Sequence, residues 1–302
     1  MRGSRGRIGV GSLAGKRCFI TGAASGIGRA TALAAADRGA ELYLTDVQAE
    51  GLESVVEEIR RSGGAVAYSR AVDIADHDAI VAMAQEIHDA HGSMDVVMNI
   101  AGIAVWGTIQ DLEHSQWRKV VEVNLMGPIG VLECFVPAMI EARRGGHVVN
   151  VSSAAGLFGL PWHAPYSASK FGLRGVSEVL RFDLRRHRIG VSLVCPGAVR
   201  TPLVGTVEIA GVDRSDPAIA PEIERFERHA VSPERAAEKI LRGVERNRYL
   251  VFTSNDIRVL HWLQRKFSPP YTLAMRLAND RFQRVLGRRR EKRPERPGAP
   301  VS

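Results

Sequence analysis

Residues 17–28 read Arg17-Cys18-Phe19-Ile20-Thr21-Gly22-Ala23-Ala24-Ser25-Gly26-Ile27-Gly28. A short apolar run meets a glycine-rich turn, and a helical pattern follows over 26–38. Gly22 lets the chain turn sharply off the strand, and Gly26 clears a side chain where backbone must approach an anion. Gly28 permits close packing of the helix on the strand. The helix then aims its free N–H groups and the positive end of its dipole at the turn, which suits a pyrophosphate. The spacing is GxxxGxG, not the commoner GxGxxG. Taken alone, such a turn is equally a tight strand–helix connection. The strand before it and the helix after it favour anion binding.

The same alternation continues outward. Apolar, β-branched runs at 41–45, 65–70, 95–99, 147–152, 190–195 and 248–253 read as strands. Helical patterns lie near 48–62, 77–91, 115–143, 166–188 and 232–246. Most strands are apolar throughout, as expected where helices cover both faces of a parallel sheet. The expectation is an α/β, Rossmann-type, doubly wound and mostly seven-stranded parallel sheet with helices on both faces, spanning 14–254. Residues 202–231 mix Gly, Asp and Pro with apolar residues and read as a lid on the substrate side. Residues 255–286 read as an amphipathic helical extension. Ile257, Leu260, Leu263 and Phe267 recur at helical spacing, widened by Val259 and Trp262, and Leu273, Leu277, Phe282, Val285 and Leu286 follow. Residues 1–13 read as a flexible basic N-terminus and 287–302 as a disordered basic tail.

The net charge of +8 over 302 residues raises nucleic-acid binding, so its location matters. Residues 1–17 hold +5 and residues 288–296 a net +4, leaving the body at −1. A nucleic-acid protein carries its basic patch on a folded face, so none is expected here. Cys18, Cys134 and Cys195 form no CxxC pair and read as buried thiols in a reducing compartment. No apolar segment follows the basic N-terminus, and no apolar run reaches the ~20 residues of a spanning helix. The candidate Leu125–Ile140 is broken by Pro128, Glu133 and Pro137. A cytoplasmic protein is expected.

Asp46 ends the second strand, 18 residues after Gly28. A carboxylate there accepts hydrogen bonds from a ribose diol and repels a 2′-phosphate. It also suits a helix N-cap. Ser25 and Val47 are not basic, and Arg29 is the nearest cation, so NAD is expected over NADP. Tyr166 and Lys170 stand four apart on one helical face. An ammonium beside a phenol favours the phenolate and lowers a pKa that is ordinarily about 10. Such a pair alone is as well a surface contact. Ser153, 13 residues before Tyr166, lies at a strand end, where ligands bind in open α/β sheets. Asn124 lies inside a long helix, where its propensity is poor. Asn99-Ile100-Ala101-Gly102 and Pro196-Gly197-Ala198-Val199-Arg200-Thr201 close two further strands.

This ordered set resembles the classical short-chain dehydrogenase/reductase family over residues 14–254. It comprises TGAASGIG at 21–28, Asp46, Asp73, NIAG at 99–102, Asn124, Ser153, YSASK at 166–170 and PGAVRT at 196–201. The resemblance implies that Tyr166 is the general acid/base, that Ser153 hydrogen-bonds the reacting oxygen, and that Lys170 binds the nicotinamide ribose. It implies that Asn124 holds a water in a proton relay, that Asp73 and Ile74 flank the adenine, and that Thr201 holds the carboxamide. The implied cofactor contacts are Gly22, Ser25, Gly26, Ile27, Gly28, Asp46, Asp73, Ile74, Asn99, Ala101, Gly102, Tyr166, Lys170, Pro196, Gly197, Val199 and Thr201. Ile100 stands where the family has a second Asn.

The implied activity is NAD-dependent interconversion of a secondary alcohol and a ketone by a homodimer or homotetramer. Val105, Trp106, Phe158, Leu160, His163, Leu203, Val204, Val207, Ile209 and Val212 are candidates for pocket walls. They point to a bulky apolar substrate, steroid-, terpenoid- or lipid-like. Peripheral membrane contact through 255–286 is a secondary expectation, because basic amphipathic helices with Trp suit an interface. The competing class is a non-catalytic NAD(P)-binding regulatory or scaffold protein on the same fold. A serine hydrolase would need GxSxG around its nucleophile, and Ser153 lacks both glycines. His88 and His91 have no companion ligands, so no metal site is expected.

Overall fold

The computed structural model describes residues 8–212, 228, 230–266 and 268–286. In chain order the elements are β1 (Arg17–Thr21), α1 (Gly26–Ala36), β2 (Glu41–Asp46), α2 (Ala49–Arg61), β3 (Ala65–Ala71) and α3 (His77–His91). Then come β4 (Val96–Asn99), β5 (Val105–Trp106), α4 (His114–Val121), a π-helical turn (Glu122–Met126), α5 (Gly127–Ala142) and β6 (Gly146–Val151). A 3-10 turn (Ala154–Gly156) leads to α6 (Ala164–Asp183), β7 (Ile189–Cys195), α7 (Pro202–Thr206) and β8 (Glu208–Ile209). The chain ends with α8 (Pro233–Glu245), β9 (Leu250–Phe252), α9 (Asn255–Lys266) and α10 (Ser268–Leu286).

Seven strands form one sheet in the order β3-β2-β1-β4-β6-β7-β9. Every pairing in it is parallel. β6 and β7 are buried at every position, so their sequences do not alternate. β3, at one edge, is the exposed strand, and Arg70 on it pairs with Glu86 of α3 at 2.6 Å.

Two cores lie on the two faces. Ile20, Leu42, Leu44 and Met98 pack with Leu52, Val55, Val56 and Ile59 of α2 and with Ile240, Leu241 and Val244 of α8. The α2 residues recur at i, i+3, i+4 and i+7, the stripe that one face of a helix presents. On the other face Phe19 stacks on Phe135 of α5, ring centroids 4.4 Å apart, among Ile80, Met83, Ile87, Val131 and Met139. Each fully buried side chain of this size contributes roughly 1.5–3 kcal/mol.

The strand order reverses direction between β1 and β4, and ligands of open α/β sheets bind outside the strand ends at such a point. The glycine turn follows β1 there. A second, two-stranded sheet pairs β5 with β8, tying the start of the lid segment to the chain after β4. Two-residue strands carry no readable period, so the sequence did not announce them.

Two expectations change. Residues 8–13 are packed, not free: Leu13 is buried and the Gly9 N–H donates to the Arg188 carbonyl. Residues 1–7 and the tail 287–302 lie outside the described residues, as do 213–227 of the lid and Phe267. The helical run His114–Ala142 is apolar and long enough, by length and composition alone, to cross a membrane. Half of its most apolar window is buried, as befits a crossover helix on the sheet.

The C-terminal extension turns α9 inward. Ile257, Leu260 and Tyr271 pack with Leu157, Phe158 and Leu193. Val259, Trp262, Leu263, Leu273 and Leu277 stay exposed on the outer side.

Candidate active site

Hydrogen bonds lace the ends of β1, β2, β3 and β4 into one rim. The buried Thr21 hydroxyl accepts the N–H groups of Ile100 and Ala101 at 3.0 and 3.1 Å. The Asp46 carboxylate, 8% exposed, accepts from Ala24 N–H at 3.0 Å and Gln48 N–H at 2.9 Å. The Val72 N–H donates to the Asp46 carbonyl, which brings Asp73 beside Asp46 at the same edge. Arg29, on the first turn of α1, pairs with Glu58 at 2.6 Å.

The glycines are placed by space as well as by conformation. Gly22 and Gly26 have φ of +70° and +53°. A Cβ on Gly22 would lie 2.7 Å from the Ala101 Cα, and one on Gly28 1.8 Å from the Gly22 carbonyl oxygen. Ser25 precedes α1 without a side-chain capping bond, so the first N–H groups of that helix are left for another acceptor. The turn, the uncapped helix and the carboxylate beyond it together fit a dinucleotide.

The catalytic candidates converge on the next strand ends. Ser153 follows β6; its hydroxyl accepts from Ala155 N–H at 3.1 Å, and it lines the same cavity as the Tyr166 phenol. Tyr166 sits in the first turn of α6, where Pro165 fixes the helix entry. Lys170, one turn on, is buried, donates to the Val151 carbonyl at 3.0 Å, and stands 5.7 Å from the centroid of the Tyr166 ring. Gly102 passes so close that a Cβ there would meet Asn124 Oδ1 at 3.0 Å and Lys170 Nζ at 3.3 Å.

Burial pushes the Lys170 ammonium down to about 8. Burial also holds the Tyr166 phenol above its ordinary value, while the Ser153 hydrogen bond pulls the other way. Without the cofactor, then, the loss of water disfavours charge on both groups and outweighs the lowering of the phenol that spacing alone suggests.

Asn124 occupies the π-helical turn, which explains a poor helix former inside a long helix. It is fully buried. Its Oδ1 accepts from Ile103 N–H at 2.9 Å and its Nδ2 donates to Ile103 O at 2.8 Å. Both ends of the amide thus clamp the segment after β4. Asn99 turns inward instead and donates to Asn150 Oδ1 at 2.9 Å. Ile100 fills its position with an apolar side chain that packs in the core.

A cavity of about 300 Å³ opens before these groups. Ile27, Gly102, Ser153, Tyr166, Lys170, Pro196, Gly197, Val199 and Thr201 line it, as do Trp106, Phe158, Leu160, His163, Leu203 and Val207. Val105, Ile209 and Val212 do not; the side chain of Val204 lies outside the described residues. Ile74 packs in the core, and Asp73 accepts from Ala75 N–H at 2.9 Å.

Sequence reasoning missed Ala104, Ile257 and Leu260 as walls. The i, i+3 spacing of the last two was visible, but not what it faced. It also missed Thr21 as the clasp of the rim.

The family model described as short chain dehydrogenase matches residues 16–210. The Mycobacterium tuberculosis protein SadH is 34% identical over 267 residues, 87% of this chain and 94% of its own. A short chain dehydrogenase/reductase from Burkholderia phymatum, solved in complex with NAD, superposes with a TM-score of 0.77. It is 28% identical and covers 84% of this chain and 94% of its own. A metagenomic short-chain oxidoreductase solved in complex with NADP gives a TM-score of 0.64 at 32% identity, over 80% of this chain and 96% of that one. With its parallel seven-stranded sheet and its glycine turn at the strand ends, the chain belongs to the short-chain dehydrogenase/reductase family of oxidoreductases.

Proposed function

We propose that the protein interconverts a secondary alcohol and a ketone with NAD(H), on a bulky and mostly apolar substrate of steroid-, terpenoid- or lipid-like character. The observation that carries this reading is the convergence of Ser153, Tyr166 and Lys170 on one cavity, with Lys170 Nζ 5.7 Å from the centre of the phenol ring. Nicotinamide, when bound, supplies the hydride acceptor or donor and, oxidised, a positive charge that favours the phenolate.

The protein's own groups handle the proton and the oxygen. In oxidation the Tyr166 oxygen takes the carbinol proton; in reduction it returns one to the forming alkoxide. Ser153 holds the reacting oxygen and shares its developing charge. Lys170, fixed by the Val151 carbonyl, keeps a cation beside the phenol at neutral pH. Asn124 clamps Ile103 and so holds one wall in place. The apolar walls exclude water and accept an apolar body.

Asp46 supports NAD over NADP. Two of its lone pairs hold backbone N–H groups, two remain for a ribose diol, and Glu58 engages Arg29 of the helix that follows the glycine turn. Phe171, Val179 and Phe182, exposed on α6, support a homodimer or homotetramer that light scattering can identify.

The test is a panel of secondary alcohols and ketones followed at the NADH absorbance with both cofactors. Turnover of bulky apolar members with NAD supports the reading. Cofactor binding without turnover of any member would make the chain a non-catalytic nucleotide-binding protein.

A further inference from the structure

The cavity wall opposite the catalytic cluster is apolar at Ala104, Trp106, Phe158, Leu160 and Leu203, and carries one imidazole, His163. His163 caps the start of α6, three residues before Tyr166, and is 8% exposed. Its Nδ1 lies 2.6 Å from the Pro161 carbonyl oxygen. A carbonyl only accepts, so Nδ1 carries the proton. Burial pushes the ring down to about 4, so the imidazole is neutral at working pH and Nε2 keeps a bare lone pair.

Among the described residues nothing hydrogen-bonds that Nε2, and the atom is not sealed from solvent. Trp106 lies against the ring with centroids 4.5 Å apart, and the Tyr166 ring stands 6.4 Å away. Four of the other polar side chains of the cavity are committed. The Ser152 hydroxyl donates to the Lys170 carbonyl at 2.9 Å. Ser153, Tyr166 and Lys170 form the catalytic cluster, and Thr201 stands against Gly26 of the glycine turn.

A single oriented acceptor in an apolar pocket selects for a donor at that place. We propose that His163 is a specificity-determining residue whose Nε2 accepts a hydrogen bond from a substrate hydroxyl or N–H group within a few bonds of the reacting carbon. The proposal rests on the alcohol–ketone reading and narrows it: the preferred substrates are hydroxy- or amino-substituted carbinols and ketones with an apolar body.

Asn and Gln separate the two functions of the ring. His163→Asn retains an amide N–H near the Nδ1 position for Pro161 and removes the distal acceptor. His163→Gln retains a distal amide oxygen and gives up the proximal donor. Benzoin and deoxybenzoin are matched ketones that differ by one hydroxyl beside the carbonyl. With NADH, kcat/KM for benzoin should exceed that for deoxybenzoin by about five-fold, the worth of one neutral hydrogen bond. The preference should vanish in His163→Asn and survive in His163→Gln.

Calorimetric binding of the two ketones to the cofactor-free protein, which holds neither a hydride donor nor a hydride acceptor, makes the same comparison without chemistry. Parity of the two ketones in the wild type, or a preference retained in His163→Asn, overturns the inference. A binding preference that His163→Asn abolishes, in a protein that turns over no ketone, would uphold His163 and reject the acid/base reading.

Discussion

Replacing Asp46 by Ala should collapse the choice between cofactors. A hydrogen bond from a ribose hydroxyl to a carboxylate contributes about 1.5–3 kcal/mol, and each 1.4 kcal/mol is ten-fold. A phosphate charge about 4 Å from the carboxylate is repelled by roughly 1 kcal/mol in bulk water and about 4 kcal/mol near a protein surface. Asp46 is 8% exposed, which places it towards the larger figure. The wild type should therefore favour NAD over NADP by at least ~10²-fold in kcat/KM. Asp46→Ala should bring the two within about ten-fold, mostly by losing NAD efficiency.

The same carboxylate holds the Ala24 and Gln48 N–H groups, so the variant also loses roughly 2–3 kcal/mol of stability. Asp46→Ser supplies the control, because its hydroxyl still accepts one N–H without carrying charge. The assay is steady-state kinetics with both cofactors at several salt concentrations. The repulsive part should fade as salt shortens the Debye length below ~10 Å, and the diol part should not. Equal wild-type efficiency with NADP, or an unchanged ratio in Asp46→Ala, would refute the reasoning and return Arg29 as a phosphate partner.

Tyr166→Phe should lower kcat by at least ~10²-fold while NAD affinity, read by fluorescence titration, survives; near-normal turnover would reject the acid/base role. Lys170 should trade stability for function. Its folded pKa of about 8 lies below the unfolded value, so the folded state binds fewer protons between the two and wild-type stability rises with pH across that window. Lys170→Met should accordingly raise the Tm of the cofactor-free protein at pH 7, by a gain that shrinks towards pH 10, and abolish activity. A gain that is flat with pH would show that charge burial is not its source. Leu260→Ala, or truncation after Thr253, should raise KM for bulky substrates more than for small ones, because α9 walls the cavity. Liposome co-sedimentation of the truncated chain separates this from a membrane function of the outer stripe.

Legibility followed the kind of physics involved. The sheet could be read because burial on both faces makes β6 and β7 mostly apolar, with no in–out alternation, and the sequence records that directly. Gly28 could be read because its place is decided by contact with Gly22, six residues earlier in the same twelve-residue stretch. The π-helical turn at Asn124 could not, since it is a change of hydrogen-bond register that Glu122–Met126 do not advertise by type. The direction of the Tyr166 shift was missed for a related reason. Spacing puts an ammonium near a phenol, but whether attraction or desolvation wins depends on depth, and depth is a property of the packed site.

The C-terminal extension shows the same limit from the other side. Ile257 and Leu260 face the cavity, while Val259, Trp262 and Leu263 face outward, yet all five belong to one apolar pattern. A stripe that runs most of the way round a helix tells that something must cover it and not which side is covered. Only the packing of α9 and Tyr271 on Phe158, with the Gly159 N–H donating to the Tyr271 hydroxyl at 3.0 Å, assigns the inner face. That assignment lies outside residues 16–210, the part matched by the family model. The chemistry can therefore be common to the family while the shape of what enters the cavity is set in part by an element beyond the stretch that the family model matches.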